Sequence, residues 1–151
     1  MKRCRPTRDE LLARMPRAFR PRLTRDQVNE LGICHHENHD AIVSGSADWD
    51  VMWNYVGSVL TWWRVSRDLQ AGLEEMDVQL QVATRLVERY GRHGVVRFDG
   101  PDLQLARLGV GYMDDLAELV DKPTAMAAAE WSEAEVNRLA AGAQALEKAA
   151  A

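Results

Sequence analysis

Apolar residues recur at spacings of three and four along most of this chain, the period of an amphipathic helix. The strongest stretch predicts a helix from about Ala47 to Leu69. Trp49, Val51, Met52, Trp53, Tyr55, Val56, Val59, Leu60, Trp62 and Trp63 cover more than half of its circumference. Asp50, Asn54, Gly57, Thr61, Arg64 and Asp68 form a single polar stripe. So wide an apolar arc needs neighbours on two sides, so this is the expected central helix or a face for a partner chain.

Start and stop signals divide the rest. Thr7 to Glu10 and Thr24 to Gln27 both read as capping boxes, in which a threonine hydroxyl and a Glu or Gln three residues later satisfy each other's amides. The first box opens a short helix with Leu11 and Leu12 that must stop near Pro16. The second opens a helix running to about Val43, broken at Ser44-Gly45-Ser46. A helix from about Leu73 to Tyr90 presents Met76, Leu80, Ala83, Val87 and Tyr90 on one face, with Gly91 suited to its left-handed cap. A short loop follows, with Val96 and Phe98 as core plugs. Asp99 or Gly100 ahead of Pro101 starts the next helix, with Leu105, Leu108, Tyr112, Leu116, Leu119 and Val120 as its expected inner face. Lys122-Pro123 should end it. A short helix from Thr124 to Glu130 is expected next, then a third capping box at Ser132 to Glu135. That box would open an alanine-rich terminal helix anchored by Val136, Leu139 and Leu146.

The expected fold is therefore all-α: a single-domain bundle of about four main helices plus shorter ones over residues 24–151. Residues 1–23 form a basic N-terminal arm with one short helix. A chain of 151 residues is long enough to bury a substantial core as one domain.

Charge changes that picture at one end. The net charge of −4 conceals a +7 segment over residues 1–25 and a −11 remainder. The plainer expectation is that the arm lies on its own acidic body. The functional one is contact with an acidic protein or nucleic acid, since clustered arginines supply the sequence-independent attraction for phosphate. Arg17, Arg20, Arg22 and Arg25 are the candidate contacts. No run of about 20 apolar residues suggests a membrane span, and no apolar run follows the N-terminal charges. Cys4 and Cys34 show no Cys-x-x-Cys spacing, so reduced thiols in a cytoplasmic protein are expected.

Candidate chemistry is confined to GICHHENHD, residues 32–40. On an unbroken helix, Val28, Leu31, His35, His39 and Ile42 share one inward arc, His36 and Asp40 lie at its margin, and Glu37 faces solvent. Imidazoles at i and i+4 can offer two nitrogens to one divalent transition metal. His35 and His39 are thus the candidate ligands, with His36 or Asp40 beside them, and a third ligand would have to come from another helix. Glu75, Asp77 and Asp114 are available, and nothing in the sequence separates them. His36-Glu37-Asn38-His39 is one residue short of the H-E-x-x-H zinc-protease pattern, and no Glu-x-x-His spacing of the di-iron bundles occurs. The plainer expectation is two neutral, partly buried histidines. Trp53, Trp62 and Trp63 are core candidates that, with the adjacent Arg64, could also anchor a partner chain or a homo-oligomer.

These patterns favour a small cytoplasmic, non-enzymatic binding or regulatory module without a cofactor. It would act through protein–protein contact and its arginine-rich arm. The alternative is a metal-dependent, hydrolase-like bundle enzyme built on His35 and His39.

Overall fold

The computed structural model describes residues 14–16 and 19–151. The first predicted helix, at Thr7 to Leu12, and Arg17 lie outside these residues. Among the described residues there are five long helices: α1 (Arg25–Ser44), α2 (Trp49–Leu69), α3 (Leu73–His93), α4 (Gly100–Leu119) and α5 (Lys122–Ala150). No helix among them is long and apolar enough to cross a membrane.

The start signals act as expected at Thr24 and Asp99, and Asp48 supplies a cap that the sequence reading did not name. Thr24 and Gln27 form the reciprocal capping box of α1, which Gly45 closes in the left-handed conformation at φ 79°. Asp48 caps α2 by accepting from the Val51 amide at 2.9 Å. Asp99 caps α4, with Pro101 in the first turn.

Two boundaries depart from expectation. α3 runs one turn past Gly91 and is capped by Gly94, whose amide donates to the Tyr90 carbonyl at 2.7 Å. The expected break before Ser132 is absent, and one helix runs from Lys122 to Ala150. Ser132 is buried mid-helix. Its hydroxyl donates to the Ala129 carbonyl at 3.0 Å and pairs with Thr61 Oγ1 at 2.6 Å. A serine engaged backwards and across the bundle is not free to cap.

α2 is the hub, packing against all four other helices. α1, α4 and α3 follow one another around one side of it, through α1–α4 and α3–α4 seams. α5 crosses the other side. The middle of the predicted polar stripe is the seat of α5. A Cβ on Gly57 would lie 3.4 Å from Val136, and Thr61 meets Ser132. Small residues at that point let the two backbones approach. Beside the seat, Trp63 stacks on Trp131 at 6.0 Å, with Arg67 over Trp63 and Arg64 over Trp131.

The core holds Met52, Tyr55, Val59, Val65, Met76, Leu86 and Met113, all essentially inaccessible. Val96 is buried, and Phe98 packs on Tyr55 with ring centroids 5.4 Å apart, so the α3–α4 loop plugs the core as expected. Leu116 and Val120 are buried as expected, but the rest of the inner face of α4 is Asp102, Ala106, Gly109, Val110, Met113 and Ala117, leaving Leu108 and Leu119 exposed. Close approach explains the rotation. A Cβ on Gly109 would overlap the side-chain amide of Gln79, which is buried and donates to the Leu105 carbonyl at 2.9 Å. With a glycine and an alanine at the seam, Leu108 and Leu119 turn outward while Leu116 stays buried. Leu146 is also exposed rather than an anchor.

The end of the arm is tied to the bundle. Arg22 forms an isolated antiparallel bridge with Asp121, Lys122 donates its amide to the Pro21 carbonyl at 2.8 Å, and Arg20 lies 3.8 Å from the Asp121 carboxylate.

Candidate metal centre

α1 presents its histidines in two directions. His35 and His39 are 1% and 7% exposed, so the inward stripe read from the sequence is present. His35 meets α4, where its Nε2 lies 2.7 Å from Asp114 Oδ1. His36 Nε2 lies 2.9 Å from Oδ2 of the same carboxylate. The two imidazoles thus share one carboxylate across the α1–α4 seam, and their ring centroids are 5.1 Å apart. Trp62 of α2 stands edge-on to His35 at 6.3 Å. One ligand-type atom from each of His35, His36 and Asp114 lies within 4.8 Å of the others.

His39 is not part of this group. Its Nδ1 pairs with Asp40 at 3.2 Å, and its ring packs on Phe98 at 6.0 Å. The expected His35–His39 pair therefore faces two neighbours, α4 and the α3–α4 loop, and Asp40 belongs to the loop side. The cross-helix partner is Asp114, and the second ring beside it is the marginal His36.

The charges define the proton positions. Burial, the largest influence on His35, pushes its pKa below 6.5 despite the neighbouring Asp114 carboxylate. For Asp114, burial raises the pKa, but hydrogen bonds from His36 and His35 together hold it below the ordinary value. An ionised carboxylate only accepts, so both imidazoles donate Nε2–H to it. His35 Nδ1 is then left as a buried lone pair without a hydrogen-bond partner among the described residues.

Replacing the two shared protons with one divalent ion gives two nitrogens and one carboxylate oxygen, with open positions on the exposed side. This donor set is the type that holds zinc and other borderline transition ions. Tetrahedral coordination at about 2.0–2.1 Å separates ligand atoms by about 3.3 Å, so the 2.7 Å contact between His35 Nε2 and Asp114 Oδ1 would have to lengthen by about half an ångström. Metal binding would also move the His35 proton to the buried Nδ1, which has no acceptor among the described residues. A missing outer partner of this kind lowers affinity by about 10–100-fold, so the fit is to a moderate rather than a very tight site. His36 is half-exposed and lines an open groove of about 670 Å³ between α1 and α4, together with Asn29, Asp114, Asp115 and Glu118.

The other candidates are spread out. Trp53 and Trp62 are core residues, 7% and 3% exposed. Trp63 is half-buried in its stack, Arg64 is exposed over Trp131, and Arg25 is exposed at the start of α1. Arg20 and Arg22 lie against Asp121.

Asp114 was the residue hardest to choose from sequence. One signal marks it: it occupies the stripe of α4 between Val110 and Ala117, both buried, where an apolar residue is otherwise expected. Comparison with protein-family models, curated proteins and solved structures finds no match to this chain.

Proposed function

We propose that this chain is a small helical binding module whose α1–α4 seam takes one divalent transition ion. His35 Nε2, His36 Nε2 and one oxygen of Asp114 are its ligands. The observation that carries this reading is the convergence of two imidazole nitrogens on one carboxylate from a helix 79 residues away. The ion would tie α1 to α4 and leave its open side toward the groove. Elemental analysis of tag-free protein, followed by calorimetric titration with zinc, tests it. One equivalent of zinc is expected to bind, with binding lost in Asp114→Ala and His36→Ala and kept in His39→Ala. Equal zinc binding by wild type and Asp114→Ala would overturn the assignment.

A protein-contact role is favoured by a separate feature. α5 packs on α2 alone among the main seams, and a cleft of about 490 Å³ opens between it and α1. Leu31, Trp62, Ala125, Met126 and Ala129 line it, with Met126 46% exposed. The apolar lining suits an apolar segment of a partner. Ala129→Arg places a charge in the cleft and is expected to abolish such binding without changing the helical circular dichroism.

A further inference from the structure

We infer that the α1–α4 groove admits neutral nitrogen ligands to the bound ion, especially ones flanked by positive charge, and turns oxyanions away. The inference rests on the metal-binding reading above and adds the class of ligand. The polar lining of the groove is Asn29, His36, Asp114, Asp115 and Glu118, and its apolar lining includes Val28 and Ile33. Among the described residues it is lined by three carboxylates and by neither lysine nor arginine.

A divalent ion held by Asp114 has one charge left over, while Asp115 and Glu118 add two of the opposite sign. The occupied groove therefore remains net negative. Phosphate or acetate approaching the open coordination position meets two carboxylates, Asp115 and Glu118, with no lining lysine or arginine among the described residues. An imidazole meets no such penalty, and a basic segment carrying it would be attracted by the same two groups. The way in is not blocked by α1. At Gly32, which lines the groove on α1, even an added Cβ would make only an ordinary contact, 3.6 Å from Asp114 Oδ1. Exposure of His36 keeps the ion's outer side open to the groove.

The test uses the full chain loaded with cobalt(II), whose visible absorption reports the ligands around the ion. Imidazole, phosphate and acetate are titrated separately at fixed ionic strength. Imidazole is expected to shift the bands at a concentration about tenfold below that of phosphate, the scale of repulsion between an oxyanion and the groove's one net negative charge. Asp115→Asn with Glu118→Gln should narrow that ratio several-fold and leave cobalt binding in place. Phosphate acting at equal or lower concentration than imidazole, or an unchanged ratio in the double variant, overturns the inference while the metal site stands. If cobalt gives no absorption that depends on Asp114, the metal reading fails and the ligand class falls with it.

Discussion

Helix α4 reaches its neighbours through two aspartates, and the two seams they make are of different kinds. Asp102, in the first turn, is buried and takes the Arg85 guanidinium of α3 through three hydrogen bonds of 2.7–3.1 Å. Arg89 pairs with Asp99 at 2.6 Å just beside it. Asp114, three turns on, takes two imidazoles of α1. The carboxylate chemistry is the same, but the partners are not. A guanidinium keeps its charge throughout the working pH range, and Asp102 pushes the Arg85 pKa higher still. A neutral imidazole can take up a second proton near neutrality or present a ring-nitrogen lone pair to a metal. The α3–α4 seam is thus fixed, locked further by Gly109 under Gln79, whereas the α1–α4 seam can change state. α1 reinforces this contrast, since two of its three fully buried residues are histidines.

The comparison can be broken at several points. Gly109→Leu should give the largest loss, about 3 kcal/mol or more, because the side chain must enter a filled seam and displace the buried Gln79 amide. Chemical denaturation measures it, and a smaller loss in a Gln79→Ala background would show that the two residues compete for one space. Zinc at about 100 times its Kd should raise wild-type stability by about 2.7 kcal/mol. The same addition should leave Asp114→Asn unmoved, while Asp102→Asn should retain the zinc response. Asp102→Ala itself should cost about 2 kcal/mol through lost charge-assisted hydrogen bonds and should be equally costly at pH 6 and pH 8.

Acid should act on the α1 seam. The folded-state pKa of His35 lies below 6.5, so the unfolded chain binds more protons than the folded one as pH falls. The stability His35 contributes is complete above pH 6.5 and is lost as pH falls through the folded value. Metal-free wild type should therefore lose thermal stability between pH 7 and 5 more steeply than His35→Gln. Parallel pH profiles for the two would remove His35 from the account. The smallest effect is expected at Leu146, which is 73% exposed: Leu146→Gln should stay within about 0.5 kcal/mol of wild type.

Much of this was legible in the residues. Capping at Thr24 and Gln27, the break at Gly45 and the start at Asp99 are local signals, and local hydrogen bonding decides them. The inward stripe of α1 followed from helical period alone, and it placed His35 and His39 correctly. What the period cannot give is the identity of the element opposite each residue. That is why His35 was grouped with His39 four residues away rather than with Asp114. Ser132 failed for a related reason. Ser-x-x-Glu is a start signal only when no other helix claims the hydroxyl, and Thr61 claims it here. Gly91 and Gly94 carry the same local preference, so neither could be chosen until α3 was seen to continue.

The separation of 79 residues between His35 and Asp114 also has a consequence in time. A ribosome working at about 5–20 residues per second completes that interval in roughly 4–16 seconds. For that period both histidines of the nascent chain precede the carboxylate that will hold them. An ion captured then would arrive before the seam exists, and α4 would close onto an occupied pair of imidazoles rather than an empty one.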